Sequence, residues 1–147
     1  MATNPTTDEG WRQEIARRGE DLAARYLEAQ GVVLVARNVR TRHGELDLVG
    51  RAGGTLLVVE VRTVWQARFL GHPVASITLT KARQVLRATR QLVASWGLRG
   101  CDLRIDAIGV ELSTGRVEHL PGGIRWDLER PERSDRWRCR GRGRGSG

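Results

Sequence analysis

No run of apolar residues in this 147-residue chain approaches the roughly 20 that a membrane span needs, so an integral membrane protein is not expected. Cysteine is scarce. Cys101 and Cys139 are too few for a disulfide framework or a cysteine-built metal site, and they read as a core thiol and a tail thiol. Histidine is scarce too, and His43 and His72, in loops that flank the candidate site, belong to no HExxH or His–Cys pattern, so zinc is not expected. Lysine is almost absent: of 25 basic residues only Lys81 is a lysine, which a uniform preference for arginine codons explains. Residues 1–8 are polar and read as a flexible leader lacking the apolar stretch of a signal peptide, so the expected address is the cytoplasm.

What is present suits one globular domain with a tail. Hydrophobic residues make up 39% and charged residues 29%, within the soluble globular range. The formal charge of +8 suits a polyanionic partner such as nucleic acid. Half of that excess lies in residues 125–147, where eight arginines face four acids. This segment ends in alternating Arg and Gly and reads as a disordered basic tail, suited either to nucleic acid or to solubility. The expected domain is therefore residues 9–124.

Periodicity within that domain predicts a helix over 9–30, with Ile15, Leu22, Ala23, Tyr26 and Leu27 at helical spacing and Gly31 as its stop. Strands are expected at 32–36, 45–49 and 55–61, the last a nearly continuous apolar run suited to a central position. Residues 65–78 are irregular. A second helix over 81–96, capped by Thr80, carries Ala82, Val85, Leu86, Leu92 and Val93 on one face. Strands at 103–112 and 116–120 follow. The order implies a mixed α/β domain in which a meander precedes a crossover helix.

The chemistry concentrates on the second and third strands. Glu45 and Asp47 share one strand, Glu60 and Arg62 the next, and side chains two apart point to one face. Asp47 beside Glu60 offers oxygen ligands of the kind that hold Mg²⁺ or Mn²⁺. A solvent-facing strand shows the same acid–aliphatic alternation, and a Glu–Arg pair at this spacing is often only a surface pair. Glu60 ends the apolar run Leu56–Val59, where a solvated acid is less expected.

Several blocks together resemble the YraN family of small bacterial proteins, related to archaeal Holliday-junction resolvases. They are Gly19-Glu20 with Ala23-Ala24 and Tyr26-Leu27; Arg37-Asn38; Gly44-Glu45-Leu46-Asp47-Leu48; Val59-Glu60-Val61-Arg62; Gly71 and Pro73 ahead of Lys81; and Arg104-Ile105-Asp106. The resemblance implies a restriction-endonuclease-like fold, a mixed sheet flanked by helices, with a PD-(D/E)XK-type site. It implies that Asp47 and Glu60 bind Mg²⁺ or Mn²⁺ with the Val61 carbonyl as a further ligand, and that Glu20 is the acid of the first helix. Glu20 sits at the border of the apolar stripe, so a solvated helix flank is the other reading. Arg62 departs from the family pattern by standing where the motif has lysine; it keeps the charge but cannot lose a proton near neutrality.

Around this centre, Arg83, Arg87 and Arg90 form one stripe of the second helix, suited to phosphate contacts or to solvent. Lys81 falls on the apolar side, either snorkelling or aimed at the phosphate path. Trp65 and Phe69 are expected to close the core rather than stack on bases, and Asp106 to pair structurally with Arg104. The leading functional expectation is a Mg²⁺- or Mn²⁺-dependent endonuclease acting on DNA, branched or flapped substrates included. The alternative is a nucleic-acid-binding protein of the same fold with little or no catalysis. A homodimer is compatible with either by analogy with resolvases, and no membrane partner is expected.

Overall fold

The computed structural model describes residues 7–67, 73–98 and 100–125. Among them the chain forms α1 (Asp8–Ala29), β1 (Val33–Thr41), β2 (Gly44–Ala52), β3 (Thr55–Val64), a 3-10 turn (Pro73–Ser76), α2 (Leu79–Ser95), β4 (Asp102–Glu111) and β5 (Arg116–Leu120). The five strands make one sheet in the order β1-β2-β3-β4-β5. All neighbours are antiparallel except β3 and β4, which run parallel and are joined through α2. This is the mixed α/β sheet flanked by helices that the sequence implied, consistent with a restriction-endonuclease-like architecture. Phe69, Gly71, His72, Cys139 and the Arg/Gly segment lie outside the described residues.

Local chemistry sets the helix ends. Thr7 caps α1 by accepting from the Gly10 N–H at 3.1 Å, with Asp8 and Glu9 in the positive first turn. At the other end Gly31 takes φ +87°; its N–H bonds the Glu28 carbonyl and that of Val32 the Leu27 carbonyl, a Schellman closure. Thr78, not Thr80, caps α2: its Oγ1 accepts from the Lys81 N–H at 3.1 Å. The helix thus begins two residues earlier than expected, and Lys81 stays in its first turn, over the sheet.

Each helix covers one face. Ala23, Ala24 and Leu27 of α1 pack on Leu48, Leu57, Val59 and Ile108. On the opposite face, Val85, Leu86 and Leu92 of α2 pack on Leu46, Val49, Val58 and Ile105. Gly19 lets α1 lie close on β3, since a Cβ there would fall 1.8 Å from Thr63 Oγ1. Two expectations of burial fail. Trp65 is 47% exposed: it borders an open cavity against α1 and packs on the similarly exposed ring of Trp11. Cys101 is half-buried at the start of β4 and is not a core thiol.

Asp106 pairs with Arg104 as expected, and more tightly than spacing alone indicates. Its fully buried carboxylate accepts from Arg104 Nε (2.8 Å) and Nη2 (2.9 Å) and from the Gly122 N–H (2.8 Å), and it bonds His119 Nε2 at 2.6 Å. His119 Nδ1 in turn meets the Tyr26 hydroxyl at 3.3 Å. The network ties α1 to the last strand.

Candidate active site

The β2–β3 ladder runs from Ala52↔Thr55 to Leu48↔Val59 and stops. Beyond that point β2 stays paired with β1 as far as Gly44, and β3 with β4 as far as Glu111. Asp47 occupies the opening: its Oδ2 accepts the Val61 N–H at 2.8 Å, where a ladder carbonyl would otherwise sit. A side chain that replaces a backbone acceptor is held in a fixed place, and Asp47 is held beside Glu60.

Glu60 is 3% exposed on the α2 side of β3. Helical side chains lean toward the helix N-terminus, so Lys81 in the first turn of α2 reaches down to it, with Nζ 3.5 Å from Glu60 Oε1. Glu60 Oε2 is buried with no hydrogen-bond partner. Burial, and then the charge of Asp47, pushes the Glu60 carboxyl up to about 8, against the pull of Lys81. Burial also raises Asp47, opposed by the Val61 N–H. Asp47 and Glu60 are thus two neighbouring acids, both shifted toward the protonated form.

Glu20 approaches from α1. Burial, followed by the charges of Asp47 and Glu45, lifts it to about 7. It is therefore neither a core residue nor a freely solvated helix flank. Asn38 joins the group: with its amide oriented to satisfy both partners, its nitrogen donates to Glu20 Oε2 (3.2 Å) and Glu45 Oε1 (3.0 Å). Asn38 also has φ +50°, a left-handed conformation that asparagine tolerates better than most residues. Arg62 is exposed and donates through Nε to Ser76 Oγ at 3.2 Å. Arg83, Arg87 and Arg90 are exposed on α2, away from its packed face. The carboxylates Glu20, Asp47 and Glu60 are thus gathered with Lys81, while the three arginines form a separate stripe. His43 is exposed in the β1–β2 turn and joins neither group. No set of three or more His, Cys, Asp or Glu side chains among the described residues is arranged as a ready-made metal cage.

Lys81 beside Glu60, and Asn38 bridging Glu20 and Glu45, were not legible as such. For Lys81 a signal existed: one lysine survives in a chain that otherwise uses arginine at every basic position.

The model of the uncharacterised protein family UPF0102 matches residues 19–110. The chain belongs to this family, the YraN family that its motifs resemble. The UPF0102 match takes in Glu20, Asn38, Asp47, Glu60, Arg62 and Lys81, and stops short of His119. Among the relatives is a UPF0102 protein of Leifsonia xyli, 41% identical over 114 residues, covering 76% of this chain and 96% of that protein. Another, from Syntrophotalea carbinolica, is 39% identical over 77% of this chain and 93% of its own length. A third, from Chlorobium chlorochromatii, is 36% identical over 73% and 88%. Among the described residues, no helix is long and apolar enough to cross a membrane.

Proposed function

We propose that this UPF0102 protein is a metal-dependent endonuclease that hydrolyses phosphodiester bonds in DNA, including branched or flapped DNA. The observation that carries the reading is the convergence of Asp47, Glu60 and Lys81 where the β2–β3 ladder ends. The donor set fits Mg²⁺ or Mn²⁺: a half-buried acid beside a buried one that has an oxygen without a partner suits an ion that binds through one or two carboxylates and keeps its remaining places for water and phosphate. Asp47 and Glu60 would hold it, with the Val61 carbonyl as a further ligand. Such an ion, when bound, supplies charge to the phosphoryl oxygens and acidifies a water.

The chain's own residues supply the rest. Lys81, held at Glu60, carries an ammonium like the one the family motif places two residues after the second acid, where this chain has Arg62. Arg62 is left to neutralise charge on the phosphate. Glu20, balanced near neutrality, exchanges a proton at its carboxyl within reach of the same opening. The exposed Arg83, Arg87 and Arg90 are suited to phosphates farther along the strand. Arg62 at the motif position favours a second reading, binding of nucleic acid with little catalysis.

Calorimetry with Mn²⁺ and cleavage of labelled duplex, single-stranded, flapped and four-way DNA decide the matter. Wild type should bind the ion and cut, while Asp47→Ala should do neither. Equal ion binding by both would overturn the site. Ion and DNA binding without cleavage would leave the second reading, and equal cleavage by both proteins would mean a contaminating nuclease.

A further inference from the structure

We infer that the cavity between α1 and β3 seats an unpaired nucleotide of the DNA, its base stacked against the Trp11–Trp65 pair. The cavity has a volume of about 370 Å³, within the range of small-molecule sites, and is lined by Arg12, Ile15, Glu20, Arg62, Thr63 and Trp65 among others. Trp11 and Trp65 are 43% and 47% exposed. Tryptophan is highly buried on average, so the exposure of Trp65, which lines the cavity, and of Trp11, which packs on Trp65, is not explained by core packing. Their ring centroids lie 6.1 Å apart at an interplanar angle of 46°, a tilted pair with part of each indole still open to solvent.

The chemistry of the lining selects the occupant. Indole faces with guanidinium groups nearby suit a flat aromatic ring attached to an anion, which is the description of a nucleotide. A base inside a duplex has both faces covered by its neighbours, so an unpaired base is the form that fits. Glu20 lines the same cavity and carries it to the carboxylate cluster. Nine residues of α1 separate Trp11 from Glu20, about 13 Å at the helical rise. Trp65 follows β3 directly and lies four residues beyond Val61, again about 13 Å at the strand rise. The stacked base therefore sits a few nucleotides from the phosphate at the acids, which makes the cavity a selector for ends, flaps or gaps over uninterrupted duplex. The inference rests on the nuclease reading for the presence of DNA, but it concerns which DNA is bound.

Fluorescence anisotropy with the full chain in EDTA separates the two. The probes are a blunt duplex, the same duplex with a short single-stranded overhang, and that overhang made abasic. Wild type should bind the overhang about 5- to 150-fold more tightly than its abasic counterpart, the range that one stacked base supplies. Trp65→Ala and Trp11→Ala should lose that preference with blunt-duplex affinity unchanged. Trp65→Phe, which keeps an aromatic face, should retain most of it and guards against a fold defect. Equal binding of intact and abasic overhangs, with the duplex also bound, overturns the cavity inference and leaves the nuclease reading standing. Base-dependent overhang binding in EDTA, with no cleavage of the same probes once Mn²⁺ is added, supports the cavity and removes the nuclease reading. No binding to any probe overturns both.

Discussion

Replacing Glu60 with glutamine should stabilise the metal-free protein, and increasingly so as the pH rises. Burial and the neighbouring Asp47 lift the Glu60 carboxyl from 4.5 to about 8. Between those values the folded chain holds a proton that the unfolded chain releases. The stability this site contributes is therefore full below about 4.5 and is lost as the pH rises toward 8. At about 1.4 kcal/mol per unit, Glu60→Gln should gain on wild type by about 3 kcal/mol between pH 5 and pH 8. For a chain of this size that is about 10 °C in Tm. Lys81 loses a partner in the variant but keeps the charge of Asp47 nearby, so the slope survives the change. Urea denaturation followed by circular dichroism, in EDTA at several pH values, reads the difference directly. Adding Mn²⁺ should reverse the order at pH 8, because an ion binds the deprotonated pair of wild type and finds no such pair in the variant. A difference between the two proteins that is flat from pH 5 to pH 8 would refute the buried, proton-holding acid.

If the chain cuts DNA, Lys81→Ala should lower the rate by about 10²–10³, the scale for losing one electrostatic stabiliser, and Arg62→Ala by less. Single-turnover cleavage measures both, and a larger loss at Arg62 would return the motif role to that position. Gly19→Ala should destabilise by roughly 1–3 kcal/mol by driving its methyl into Thr63. Thermal melts of Gly19→Ala with and without Thr63→Ala test this, and no recovery in the double variant would place the strain elsewhere. Asp106→Ala should cost roughly 2–4 kcal/mol, since it strips His119, Arg104 and the Gly122 N–H of one shared buried acceptor. A loss below about 1 kcal/mol in urea denaturation would show that the network is not a structural tie.

The elements of this fold were legible because their causes are local. Helical spacing from Ile15 to Leu27, the glycine after it, and the apolar run into Glu60 each act within a few residues, and the strand pattern around α2 leaves few ways to order a sheet. The Asp47–Glu60 pairing followed as well, from alternation on strands joined by a short turn. What local pattern cannot carry is the relation between elements. Lys81 was legible as a cation on the apolar side of α2, but that its ammonium ends at Glu60 depends on how α2 lies across the sheet. Asn38 gained its place by adopting a left-handed backbone between Glu45 of the paired strand and Glu20 of α1. His119 meets Asp106 because the β4–β5 register sets it opposite Ile108 on the face shared with Asp106. Trp65 looked like core because tryptophan usually is, and its exposure was decided by how α1 lies over β3, which leaves a cavity beside the ring and Trp11 packed on it. Periodicity reports which face of an element is apolar. Only packing decides what stands opposite that face, and the site is made of such oppositions.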